Sequence, residues 1–306
     1  MLQRWDATGS TEMVFALLRS STVALAEQLA AGLPDEFSRT VLAGSLGVAW
    51  DSANPIRANL FAAGIREAVT YVLHFLAPDE AIKACGWYKT YREKQKKIGE
   101  RTKIEFKDQP TRVHRMVYAT QGGIPDKALE ELGVDIGDAH KKLRFVVDEL
   151  SKYTHVRPGT LIQGDDKVVV FMEDTLGAMI RFLTVVSDVR AAIVDAVSEH
   201  ANCLAGDALT ESVVQELDEL STHTMVEEVI ADDIQIVEIG PDQVQLEVRG
   251  KVYVELNYGS GADFRRGDGA SMRDKYPFSV KMIAAVTDLK PVIAGPVRVD
   301  NSSFFE

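Results

Sequence analysis

The feature that most constrains this chain is a change of hydrophobic period near residue 225. Before it, apolar residues recur every three or four positions, the spacing of a helix buried on one face. After it, residues 234–239 and 243–256 alternate apolar and polar with period two, the spacing of strands with one buried face. Gly240-Pro241-Asp242 is the turn between those two runs. The expectation is an α+β chain. A helical bundle fills residues 1–225, and a small, mainly antiparallel β module fills residues 226–306, with further strands over 278–286 and 292–299. A Gly- and Arg-rich loop is expected over 259–274.

Within the first part, helices are expected over residues 11–31, 54–76, 125–132, 136–154, 167–201 and 209–220. The segment from 79 to about 97 starts helical and turns very polar, and an exposed loop or arm is expected over 98–109. The helix from 54 carries the clearest start: Asn54 can cap the first free N–H groups, and Pro55 sits where its missing donor costs nothing.

At 306 residues the chain can bury a core without staples. Its two cysteines, Cys85 and Cys203, lie far apart and form no CxxC pair, which argues against a disulfide framework or a thiolate zinc site. Cys85 also lacks a nearby histidine, and no cysteine nucleophile is indicated. The N-terminus shows no basic run followed by an apolar one, and no apolar stretch approaches the ~20 residues of a membrane span. A cytoplasmic protein without a membrane partner is expected.

The net charge is −12, which disfavours adhesion of the whole surface to nucleic acid. Residues 89–115 are the exception. Ten Lys or Arg stand against four acids there, a balance of +6 that leaves −18 for the rest. Trp87, Tyr88, Tyr91 and Phe106 are interleaved with these cations. Cations track phosphates while aromatics stack on bases, so the mixture suits single-stranded nucleic acid, with Lys94, Lys96, Lys97 and Arg115 as phosphate contacts. The plainer alternative is a solvated arm, or one docked on the chain's own acidic surface.

Two polar stripes fall on otherwise core-forming helices. Glu67, Thr70, Tyr71 and His74, bordered by Arg66, share one face of the helix over 54–76. A carboxylate beside an imidazole can orient it; a polar seam between packed helices is the alternative. Arg144, Asp148, Ser151 and His155 share one face of the helix over 136–154, with Leu143, Val146, Val147 and Leu150 mostly on the other. His155 can bond terminal carbonyls as a cap. Functionally, it would act as a general acid/base while Arg144, Lys152 and Arg157 clamp a phosphate. Gly259-Ser260-Gly261 has no helix behind it in the expected pattern and is not read as a phosphate loop. Asp263, Asp268 and Asp274 match no standard metal spacing. No metal or other cofactor is expected.

The string Leu150-Ser151-Lys152-Tyr153-Thr154-His155, closing a helix in an all-helical region, resembles HEPN-type domains. Those are helical bundles, many of them ribonucleases of bacterial defence. Their motif is an Arg, four to six residues, then His. Here Asp148, Glu149 and Leu150 occupy the Arg positions, and Arg144 lies earlier on the same face. A longer resemblance joins Asn54-Pro55-Ile56-Arg57-Ala58-Asn59, Arg66-Glu67, His74-Phe75-Leu76-Ala77-Pro78 and Tyr118-Ala119-Thr120-Gln121-Gly122-Gly123. It continues through Leu150 to His155, then Val252-Tyr253-Val254-Glu255-Leu256-Asn257-Tyr258-Gly259-Ser260 and Tyr276-Pro277-Phe278. Together these are similar to bacterial predicted pPIWI-associating nucleases.

That resemblance implies a nuclease-type effector of anti-phage defence acting on RNA or single-stranded DNA. His155, Arg144, Glu67 and His74 would be the catalytic group, and Lys152, Arg157 and Arg66 would join the arm in holding substrate. A defence-system partner protein and a homo-oligomer are expected partners. A non-catalytic adaptor and an antitoxin-like partner of another effector are the alternatives.

Overall fold

The computed structural model describes residues 7–102, 108–211 and 214–305, with side chains from Ser20 onward. Lys103, Glu105, Phe106 and Lys107 of the basic segment lie outside the described residues. The fold is α+β. Helices come first: α1 (Ala7–Gly32), α2 (Glu36–Ala49), α3 (Arg57–Leu76), α4 (Asp79–Ala84), α5 (Gly86–Thr102), α6 (Arg112–Gln121), α7 (Asp126–Glu131), α8 (Gly137–Tyr153), α9 (Asp165–Glu211) and α10 (Gln215–Asp218). Then come β1 (His223–Ile239), β2 (Gln243–Tyr258), α11 (Gly261–Arg266), β3 (Ala270–Ala285), β4 (Pro291–Ile293) and β5 (Arg298–Val299).

The chain divides into two compact units. The first takes Met1–Lys83, Lys94–Thr120 and Asp135–Asp188; the second takes Ala84–Glu93, Gln121–Val134 and Val189–Glu306. The first unit is a helical bundle. Its core draws Phe61, Ile65, Val69 and Leu73 from α3, Leu143, Val147 and Leu150 from α8, and Met172 and Leu176 from α9. These recur at helical spacing, so each helix hides one stripe from water at about 1.5–3 kcal/mol per fully buried large side chain. α3 starts later than the sequence suggests: Asn54 Oδ1 accepts from Ile56 N at 3.0 Å in the turn ahead of the helix, the N-cap is Ile56 without a side-chain bond, and the helix runs from Arg57.

α3 and α8 run antiparallel. At one end, Asn59 Nδ2 donates to the Tyr153 and Thr160 carbonyls at 2.7 and 3.0 Å. At the other, Val69, Val72 and Leu73 line the same small apolar gap as Leu143. This geometry sets the distances between the residues of the two polar stripes.

The second unit holds the sheet, ordered β1-β2-β3-β4 with β5 also pairing β3, all antiparallel. Val244, Leu246, Val248, Val252, Val254 and Leu256 of β2 are buried, and their alternation is the period-two signal. The later half of α9 buries Val189, Ile193, Val197, Ala201, Ala205 and Leu209, every fourth residue. It is tied to β1 by Arg190 Nη1 on the Ile236 carbonyl and by Asn202 Oδ1, which accepts from Ala231 N.

Three further expectations are corrected. The loop over 259–274 holds a helical turn, α11, with Ser260 and Asp263 in a capping box, and β3 begins at Ala270 because Tyr258 pairs with it across the hairpin. The polar residues there hid a strand that is exposed along its first half. The arm is helical through Thr102 rather than a loop from 98, since Lys, Arg, Glu and Gln sustain a helix. The acidic helix over 209–220 is shared between the end of α9 and the single turn of α10.

Candidate nucleic-acid interface and the residues around it

The two halves of α5 do different work. Its aromatic start is an anchor. Trp87 Nε1 donates to the Gly122 carbonyl at 2.9 Å, Tyr88 is fully buried, and the Tyr91 ring stands 5.8 Å from that of Tyr88. Its later half projects cations. Lys94, Lys97 and Arg101 are exposed, fall at i, i+3 and i+7 on one face, and form no ion pair among the described residues. Like charges at that spacing repel one another, so an anion laid along the face is favoured twice over. Lys96 is exposed toward the opposite face, and Glu93 and Glu100 are helical neighbours of both Lys96 and Lys97 without an ion pair to either among the described residues.

Arg115 belongs to the fold instead. It is 6% exposed, donates to the Ala77 carbonyl at 2.6 Å and pairs with the Asp79 carboxylate. That bond holds the Asp79 carboxyl below its ordinary range. A buried guanidinium with both partners in place has no arm left for phosphate.

The carbonyl that anchors Trp87 lies in the Gln121-Gly122-Gly123 turn, whose glycines are required. Gly122 has φ of 56°, and a Cβ on Gly123 would fall 1.7 Å from the Pro241 carbonyl oxygen. Gly123 N donates to the Gly240 carbonyl at 3.0 Å, clasping this turn to the β1–β2 turn. The Gly-Gly pair therefore builds the second unit.

The α3 stripe separates into a structural and an exposed part. Tyr71 donates its hydroxyl to the Asp35 carboxylate, which also caps α2 through Ser38 N. This bond lowers the Asp35 carboxyl and raises the Tyr71 phenol from their ordinary values. Glu67 is exposed and pairs with Arg66 at 2.6 Å, and His74 is exposed.

On α8, Arg144, Asp148 and His155 are exposed, and Ser151 donates to the Val147 carbonyl. Lys152 reaches Glu149 at 3.5 Å and lies 4.9 Å over the Tyr153 ring. His155 follows the helix end. Thr160 Oγ1 holds its carbonyl, and its ring makes no hydrogen bond among the described residues. Thr154 Oγ1 takes the Leu150 carbonyl that a capping histidine would seek. Arg157, also exposed, shares this end with Lys152 and His155.

The four expected catalytic residues do not converge. His74 stands fifteen residues beyond Asn59, about 22 Å along α3, whereas His155 follows Tyr153 by two residues at the Asn59 end. Arg144 is eleven residues, about 16 Å, back along α8 from His155. Helical spacing put each set on one face and said nothing of how two helices align. Lys152, His155 and Arg157 do gather at one end.

Beside that end opens a cavity of about 610 Å³ that the sequence did not announce. α8 supplies Phe145, Glu149 and Tyr153, the following loop supplies Pro158 and Gln163, and α9 supplies Lys167, Val170, Phe171 and Asp174. The available signal was Lys167, Val170 and Asp174 at i, i+3 and i+7, a polar-ended stripe on a helix taken as apolar. Phe171 is held edge-on by Phe61 at 5.8 Å and Tyr153 at 5.2 Å. Among the described residues no group of three or more His, Cys, Asp or Glu could hold a metal ion, and no helix is long and apolar enough to cross a membrane. Asp263 and Asp268 pair with Arg266, and Asp274 accepts from the Tyr276 hydroxyl at 2.8 Å.

Two family models, each described as a predicted pPIWI-associating nuclease, match residues 30–179 and 186–305. The HEPN-like resemblance has no counterpart in those descriptions. No curated protein and no solved structure matches the chain. The two matches meet within α9, close to the Asp188/Val189 division between the compact units, and between them they take in nearly every residue. On that coverage, the chain belongs to the predicted pPIWI-associating nuclease family.

Proposed function

We propose that this protein is a cytoplasmic nuclease-type effector of anti-phage defence that acts on RNA or single-stranded DNA. The observation that carries the reading is the face of Lys94, Lys97 and Arg101, exposed and in no ion pair among the described residues, on a chain of net charge −12. Concentrating exposed cations against such a background serves an anionic partner. The family description supports a nucleic-acid substrate and a pPIWI protein as the natural partner.

In this reading the chemistry sits at the C-terminal end of α8. His155, exposed and unbonded at its ring, exchanges protons with the reacting oxygens as a general acid/base. Lys152 and Arg157 hold the scissile phosphate from the same end. Arg144 lies too far along the helix to share that phosphate and is assigned to the flanking backbone. The exposed Glu67 and His74, with the half-buried Arg66 paired to Glu67, form a separate patch for substrate. Incubating the purified protein with labelled RNA, single-stranded DNA and double-stranded DNA, with and without divalent metal, tests the reading. Cleavage of one of the single-stranded substrates is expected.

A second reading is a non-catalytic adaptor that forms homo-oligomers or binds a partner through its sheet. The outermost strand β1 exposes Met225, Ile230 and Val237, and an apolar strand edge invites pairing. Absence of cleavage together with a concentration-dependent mass in solution selects it.

A further inference from the structure

The cavity between α8 and α9 has the dimensions of a ligand site, which are typically ~300–1,000 Å³. Its walls are of two kinds. Phe145 and Val170, 65% and 55% exposed, stand at the surface, while Tyr153 and Phe171 are locked edge-on behind them. Such exposure of large apolar groups in a concave place marks a surface for a flat, partly apolar ligand. The polar groups lie at the two ends. Lys167 and Asp174 are on the same face of α9, two turns or about 10.5 Å apart, and neither makes an ion pair among the described residues. Glu149, the other carboxylate, has Lys152 Nζ 3.5 Å from it, whereas Asp174 has no such cation beside it among the described residues.

We propose that this cavity is a guanine-nucleotide subsite, with the base on Phe145 and Phe171, the base edge on Asp174 and the phosphate on Lys167. The assignment follows from complementarity. An ionised carboxylate only accepts hydrogen bonds. Guanine alone among the four common bases presents two adjacent donors, N1–H and the N2 amino group, on its pairing edge. Gln163, at the Lys167 end of the cavity, can donate to the phosphate or ribose oxygens. A nucleoside monophosphate spans the Lys167–Asp174 separation end to end. The subsite shares Tyr153 and Pro158 with the turn that carries His155 and Arg157, so an unstacked guanine held there would sit next to the proposed scissile phosphate. The proposal rests on the nucleic-acid reading above for that link to cleavage.

The test is calorimetric titration of the full chain with GMP, AMP, CMP, UMP and guanosine, beside a short RNA carrying one unpaired guanine. GMP should bind more tightly than the other three nucleotides. Phe145→Ala should weaken it about five- to 150-fold, the range for loss of one base-stacking contact. Asp174→Asn should remove the preference for guanine, and Lys167→Ala should bring GMP down to the affinity of guanosine. The guanine RNA should bind at least as well as GMP; a site that takes GMP and refuses the RNA overturns the link to a strand. Melting curves of the variants confirm folding. Equal affinity for all four nucleotides, or no saturable binding, overturns the subsite. GMP binding without any cleavage keeps the subsite and removes the nuclease reading; cleavage without GMP binding does the reverse.

Discussion

Asn59 Nδ2 donates to the Tyr153 carbonyl at 2.7 Å, and this bond fixes which end of α3 meets which end of α8. The same amide reaches the Thr160 carbonyl, so it also fastens the loop that carries His155 and Arg157. Asn59 is 2% exposed, and both carbonyls lose a donor if it is removed. Asn59→Ala should therefore cost about 1–3 kcal/mol in a denaturant titration. Asn59→Asp should cost more, because a carboxylate would face two carbonyl oxygens with nothing to donate.

The cationic face of α5 should be separable from the fold. Lys94→Ala, Lys97→Ala and Arg101→Ala together should weaken nucleic-acid binding and reduce the slope of log affinity against log salt by about 2, three phosphates at roughly 0.7 each. The melting temperature should hardly change, since exposed charges contribute about 0–1 kcal/mol each. Lower thermal stability with unchanged binding would mean that the face docks on protein.

Arg115 should behave oppositely. Arg115→Ala removes charge-assisted bonds from a buried position and should destabilise by about 2–3 kcal/mol. The pH dependence has a defined sign. Asp79 has its folded pKa lowered, chiefly by the Arg115 bond, so its contribution is present above about pH 4 and is lost as pH falls through the folded value. Asp79→Asn should be less stable than the natural chain at neutral pH and should lose less stability on acidification below pH 4. Equal acid sensitivity of the two would contradict the pairing.

Gly123→Ala should destabilise by about 1–3 kcal/mol or more, because the new methyl group meets the Pro241 carbonyl. Gly159→Ala is the control: its Cβ would meet nothing within 4 Å. Melting curves of the two variants compare them directly.

Much of the fold was legible in the residues. The buried stripes of α3 and α8 and the alternation of β2 each declare their own element, because burial of one face repeats with the period of the backbone. What failed were features set by a partner. The first half of β3 is polar and exposed, and only its pairing with β2 makes it a strand. Arg115 read as one cation among ten, and only the approach of Asp79 and Ala77 makes it structural. The aromatics of α5 read as stacking groups, yet Trp87 and Tyr88 are spent on anchoring. The site was legible as two faces, but the antiparallel alignment of α3 and α8 decides which residues meet. The cavity between α8 and α9 needed the loop over 158–163 to close it, and no periodicity describes a loop.

The most direct test of the central claim is a cleavage assay with the intact protein and its His155→Ala variant on end-labelled RNA and single-stranded DNA. The account predicts that the natural chain cleaves a single-stranded substrate and that His155→Ala loses about 100-fold or more of that rate while binding and melting as before. Full activity in the variant, or no cleavage by the natural chain at low salt with or without divalent metal, would contradict it.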